Sequence, residues 1–177
     1  MYITWKRVRN MGDIYVEESG NYQIDLLRSD WSLQLQPHYR NANIELADVD
    51  YIFQYHNRVI LLEYKNAKLP SEQGFRTADQ FNPNSDKKIH NIAQKFFDSY
   101  FYISAKRYKR PVTYIYVLEW PHGDVTMRKA LRNKIAAKLP FRFQQEEHIG
   151  QHIIDEFAVL SIEEWNQRYR ELPITRV

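Results

Sequence analysis

The sequence predicts an α/β (α+β) fold, a mixed central β-sheet flanked by helices. Three observations carry that expectation. Short alternating runs bounded by turn residues fill the first third of the chain. Two apolar, β-branched runs at 47–53 and 58–65 flank the polar pair His56-Asn57, the pattern of a β-hairpin. Beyond residue 85, helical periodicity alternates with strand-like apolar runs, which places helices against a sheet. With 177 residues, 44% of them hydrophobic, the chain suits one domain with a real core and is short for two.

Residues 14–18 and 22–27 read as a hairpin around Gly20-Asn21. Trp31-Ser32-Leu33-Gln34-Leu35-Gln36 alternates strictly, a half-buried strand stopped by Pro37, and a polar loop through Arg40, Asn41 and Asn43 follows. After the central hairpin, 66–85 reads as a long loop with Pro70, Gly74 and Pro83, of the kind that often forms a lid or binding loop. Residues 86–104 space Ile89, Ile92, Ala93, Phe96, Phe97, Tyr100 and Phe101 as a helix, with Asp86 as its cap or first-turn acid. Val112 to Trp120 is a nearly continuous apolar strand, as expected for one covered on both faces. A second helix is expected over 125–139, with Met127, Leu131 and Ile135 inward and Arg128, Lys129, Arg132, Lys134 and Lys138 outward. Residues 153–160 form a further strand, and Ser161-Ile162-Glu163-Glu164 is a capping box that opens a last helix.

Composition excludes several classes. No cysteine is present, so disulfide scaffolds, zinc ribbons and thiolate catalysis are ruled out. Five glycines and no phosphate-binding or dinucleotide fingerprint argue against a nucleotide-binding fold. Met1-Tyr2-Ile3-Thr4-Trp5-Lys6-Arg7 has no apolar signal core, and no apolar run is long enough to span a bilayer; the expectation is a soluble, cytoplasmic protein without a membrane partner. A net charge of +3 permits a polyanionic partner without demanding one.

Chemistry concentrates in the central hairpin. Strand alternation puts Asp48 and Asp50 on one face of its first strand, and Glu63 and Lys65 on one face of its second. Burying so many charges is costly unless they hold a cation or do chemistry. Magnesium needs one or two carboxylates plus water and substrate oxygens. Asp50 and Glu63 fit that role, with the Tyr64 backbone carbonyl as a further ligand and Lys65 placed to orient water or stabilise charge on phosphorus. The bland alternative is an ion pair on a solvated edge. Ile60-Leu61-Leu62, apolar on both faces, favours a buried strand instead.

Asp50 followed by Glu63-Tyr64-Lys65, with twelve residues between the acids, resembles the PD-(D/E)xK nuclease superfamily and its restriction-endonuclease-like fold. Asp48 resembles the extra acid that some members place two residues before the main one, and Val49 stands where many have proline. The resemblance covers roughly 43–120, which divides a single domain over 1–177 into N-terminal strands (1–42), a nuclease core (43–120) and a C-terminal helix-strand-helix segment (121–177). It implies a nuclease using Mg2+ or Mn2+, acting on DNA more than RNA, with Asp50, Glu63 and Lys65 catalytic. Asp48, Gln94 and Lys95 would be auxiliary, the last two where members often place a polar residue near the water or phosphate. Lys106, Arg107, Lys109, Arg110, Arg128, Lys129 and Arg132 would bind nucleic acid. Cutting two strands often uses a homodimer, which the resemblance adds as an expectation. Members usually open with a helix bearing another glutamate; none is visible before residue 43, and Glu17, Glu18, Asp25 and Glu45 remain open as substitutes. The alternative is a catalytically inactive module of this fold that binds nucleic acid or a protein partner.

Overall fold

The structure, a computed structural model, describes residues 14–17, 20–67 and 81–177. Most of the predicted loop over 66–85, and Glu18, lie outside the described residues. Among those described, the fold is mixed α and β, with two sheets and four helices. A three-stranded antiparallel sheet runs in the order β1 (Ile14–Val16), β2 (Tyr22–Asp25) and β8 (Ile174–Arg176). A five-stranded sheet runs β3 (Trp31–Leu33), β4 (Tyr51–Tyr55), β5 (Arg58–Asn66), β6 (Val112–Glu119) and β7 (Ile154–Leu160). The first three of these strands pair antiparallel, and β5, β6 and β7 pair parallel through helical crossovers. No described helix is long and apolar enough to cross a membrane.

The central hairpin forms as the sequence predicts. His56 and Asn57 both adopt positive φ (46° and 65°), the geometry of a type I′ turn, whose twist matches that of the strands it joins. The first strand is shorter than expected: β4 begins at Tyr51, so Asp48 and Asp50 lie in the segment leading into it. Residues 36–41, expected as a strand end and polar loop, form the short helix α1 (Gln36–Asn41). Pro37 sits in its first turn, where a fixed φ and a missing N–H cost nothing.

Each face of the larger sheet is covered. On one side Ile52, Val59, Leu61, Tyr114, Tyr116 and Leu118 pack beneath α2 (Asp86–Ala105) and α3 (Val125–Ala136). On the other, Tyr51, Phe53, Ile60, Leu62, Ile115 and Val117 pack against Trp165 of α4 (Ile162–Arg168), Tyr169 and Leu172 of the segment after it, and Ile174 and Ile24 of the smaller sheet. All eight residues of β6 are buried, which explains its unbroken apolar run. The cap of α2 is Ser85, whose hydroxyl accepts the Lys88 amide, and Asp86 is the first-turn acid. Phe97 and Phe101, expected within its inward stripe, are exposed.

The capping box at Ser161 is present, but the helix it opens ends at Arg168 and the chain then returns as β8 against β2. That last strand has three residues, too few to show a periodicity in sequence.

Candidate active site

The β4–β5 ladder pairs Ile52 with Leu61 and Tyr51 with Leu62, and stops there. One further step would set Asp50 opposite Glu63. Instead the strands part, and Asp50 Oδ2 accepts the Tyr64 amide at 2.7 Å, taking the hydrogen bond that a strand neighbour would have taken. Amide and carbonyl of one strand residue point to the same side, so the Tyr64 carbonyl is also directed toward Asp50. The Tyr64 ring turns to the opposite face, among Tyr22 and the smaller sheet. Glu63 points beneath α2 and is only 6% exposed. Lys65 shares its face one pleat farther on and is exposed, at the end of β5 that pairs with Leu118 and Glu119 of β6.

The cation that meets Glu63 is Lys95 of α2. Its Nζ lies 2.7 Å from both Glu63 carboxylate oxygens. Burial and the neighbouring Asp50 push the Glu63 carboxyl up to about 8, against the pull of Lys95, and Asp48 adds to the rise. Burial likewise raises Asp48, opposed by Lys95. Burial alone would lower Lys95, yet Glu63, Asp50 and Asp48 together hold it above the ordinary lysine value. The three acids and one lysine therefore form one electrostatic cluster.

Helix α2 also fixes the segment carrying Asp48 and Asp50. Asp98 Oδ2 accepts the Ala47 amide at 2.9 Å, and the Ser99 hydroxyl accepts the Val49 amide at 3.0 Å. Alternate amides of the segment are thus tied to one helix. Gln94, expected at the water or phosphate, is exposed and donates to Asp98 Oδ1 at 2.6 Å, buttressing that tie. Asp98 and Ser99 are the residues sequence reasoning missed. A signal existed for one of them: Ser99 is a polar residue in the buried stripe of Ile92, Phe96 and Ile103, and is fully buried itself.

The donors suit a hard divalent cation. Asp50, Glu63 and the Tyr64 carbonyl offer oxygen only, the chemistry Mg2+ prefers. Burial first, and Asp50 second, favour the neutral form of Glu63, while the Lys95 ammonium against it favours the carboxylate. Among the described residues, no group of three or more His, Asp or Glu side chains is placed to hold a metal ion. Magnesium does not require such a group, because water and substrate oxygens fill its remaining positions.

The basic residues divide. Arg110 donates to the Asn57 carbonyl at 2.9 Å, beside the hairpin turn. That turn is five strand steps from Glu63, roughly 17 Å at the usual rise. Lys106, Arg107 and Lys109, though exposed, belong to the same connector, and Lys106 lies over the Tyr102 ring. Arg128, expected outward, is buried: it donates to both Glu164 carboxylate oxygens, at 3.1 and 2.8 Å, and to the Gly123 carbonyl. Burial pushes Glu164 up, but Arg128 and the Ser161 amide hold it below the usual carboxylate range. Arg132 leans on the Phe157 carbonyl at 3.2 Å. Lys129 is exposed on α3, which begins just beyond the end of β6 that pairs with Lys65.

Compared with protein-family models, with curated proteins and with the solved structures, the chain gives no match in any of the three.

Proposed function

We propose that the protein is a metal-dependent nuclease of the PD-(D/E)xK type, hydrolysing phosphodiester bonds in DNA. The observation that carries this reading is the Glu63 carboxylate, buried at the fork between β4 and β5 beside Asp50 and holding a cation on both oxygens. Asp50, Glu63 and the Tyr64 carbonyl would hold Mg2+ or Mn2+. When bound, the ion polarises a phosphate oxygen and lowers the pKa of a coordinated water. Asp48 adds negative potential behind Glu63. Lys65, on the same face and open to solvent, reaches toward a phosphate lying across the strand ends and stabilises the charge that develops there. Lys129 supplies a phosphate contact that positions the substrate without reading its sequence.

A second reading is favoured by one observation. Lys95 closes both oxygens of Glu63, as a purely structural ion pair would, which suits a binding module that keeps the sheet without the chemistry.

The test is metal-stripped protein given Mn2+ and labelled linear, branched and single-stranded DNA, and RNA. Wild type cleaves at least one DNA form, while Glu63→Gln, Asp50→Asn and Lys65→Ala lose about a hundredfold or more in rate. If wild type and all three variants leave every substrate equally intact, the catalytic reading fails.

A further inference from the structure

Lys95, which the resemblance would put near the water or phosphate, instead meets the Glu63 carboxyl. Its ammonium is held at equal distances of 2.7 Å by the two Glu63 oxygens, which is how a carboxylate grips a cation placed on its bisector. The carboxylate is buried, with a side-chain exposure of 8%, so few other directions are open to an approaching ligand. Asp50 and Asp48 also act electrostatically on the same ammonium. Lys95 itself is 28% exposed, on a flexible four-carbon stem, and can withdraw from Glu63 toward solvent without opening the core. Its neighbours in sequence do not share that freedom: Phe96 is fully buried, and Ser99 and Asp98 are committed to the backbone of residues 47–49.

We propose that Lys95 is an internal competitor for the metal: a tethered cation that occupies the Glu63 carboxylate in the metal-free protein and must leave it for a divalent ion to bind. This rests on the metal-site reading above. Before loading, the ammonium lies against the Glu63 carboxyl and offsets the charge of Asp50 and Asp48. On loading, that task passes to the ion, and the released ammonium stays on the substrate side of the sheet as an added positive group. Lys95 is then a positioning residue that sets metal affinity, distinct from Lys65, which acts on the phosphate.

The experiment is a Mn2+ titration of the metal-stripped full chain without nucleic acid, following the electron paramagnetic resonance signal of free Mn2+. It is run on wild type, Lys95→Met, Lys95→Arg and Glu63→Gln. Removing the competing charge makes Lys95→Met bind Mn2+ about tenfold more tightly than wild type. Lys95→Arg keeps the charge on a planar fork matched to a carboxylate, so it binds more weakly than wild type. Glu63→Gln loses the site. If Lys95→Met does not fold, the Arg variant alone carries the test. Wild type binding Mn2+ at Glu63, with Lys95→Met equal or weaker, or with Lys95→Arg equal or tighter, overturns the competitor role and leaves the metal site standing. No Mn2+ binding by any folded protein in the series overturns both.

Discussion

Asp50 Oδ2 holds the backbone amide of Tyr64 at 2.7 Å, across the point where the β4–β5 ladder ends. One residue thereby closes the fork in the sheet and presents a carboxylate beside Glu63. The two duties separate by substitution. Asp50→Asn keeps an oxygen acceptor for the Tyr64 amide, so thermal denaturation should shift by little, while Mn2+ binding and DNA cleavage are lost. Asp50→Ala loses both, with an added stability cost of about 1–2 kcal/mol for the unsatisfied amide. Equal stability of the two variants would mean that the hydrogen bond does no structural work.

Glu63 gives the metal-free protein an unusual pH profile. Its carboxyl is raised to about 8 in the folded state by burial and Asp50, from 4.5 in the ordinary one. Below the ordinary value both folded and unfolded chains hold the proton, and the contribution to stability is full. Between the two values the unfolded chain has lost its proton while the folded chain retains it, so stability falls as pH rises and levels off above the folded value. Asp48, also raised, contributes in the same direction at the acid end. Lys95 is raised and stays charged in both states throughout this window, so it adds no slope. Urea unfolding in the presence of chelator should show wild type weaker at pH 9 than at pH 5.5 by on the order of 2 kcal/mol from this group, with the difference reduced in Glu63→Gln. A Glu63→Gln variant with the unchanged wild-type slope would contradict this assignment.

Arg128 is buried and clamps two elements together. It joins the start of α3 to Glu164 in the capping box of α4 and to the Gly123 carbonyl in the turn before α3. Arg128→Ala should cost about 2–3 kcal/mol, because it strips a partly buried carboxylate of its partner. The same change should leave the salt dependence of DNA binding as it was, whereas Lys129→Ala should lower that slope by about one phosphate contact. A reduced salt slope in a stably folded Arg128→Ala variant would return this residue to the nucleic-acid interface.

Ser99 tests how the acid-bearing segment is aimed. Ser99→Ala leaves the buried Val49 amide without its acceptor, at a cost of about 1–2 kcal/mol, and frees the run from 47 to 50 on one side. Mn2+ affinity should fall several-fold although Ser99 touches none of the proposed ligands. Unchanged affinity would show that the Asp50–Tyr64 hydrogen bond suffices to place the carboxylate.

The legible parts of the fold were those with local signals. His56-Asn57 announced its turn because both positions tolerate positive φ, and β6 announced its burial by being apolar on every residue. The acids at 48, 50 and 63 were readable because charge inside apolar runs is costly and therefore conspicuous. Other features depended on long-range pairing. β8 exists because β2, some 150 residues earlier, offers it an edge. Arg128 faces inward because Glu164 waits for it across two elements, which helical periodicity alone cannot reveal. Lys95 read as a border residue of an amphipathic helix; only the crossing of α2 over β5 makes it the partner of Glu63.

That Asp50 and Glu63 together hold a catalytic metal is tested most directly by diffraction from crystals grown with Mn2+, at a wavelength where manganese scatters anomalously. The expected result is one strong anomalous peak between the Asp50 and Glu63 carboxylates and the Tyr64 carbonyl, with Lys95 withdrawn from Glu63. Crystals saturated with Mn2+ that show no peak there, and Lys95 still on both Glu63 oxygens, would contradict the account.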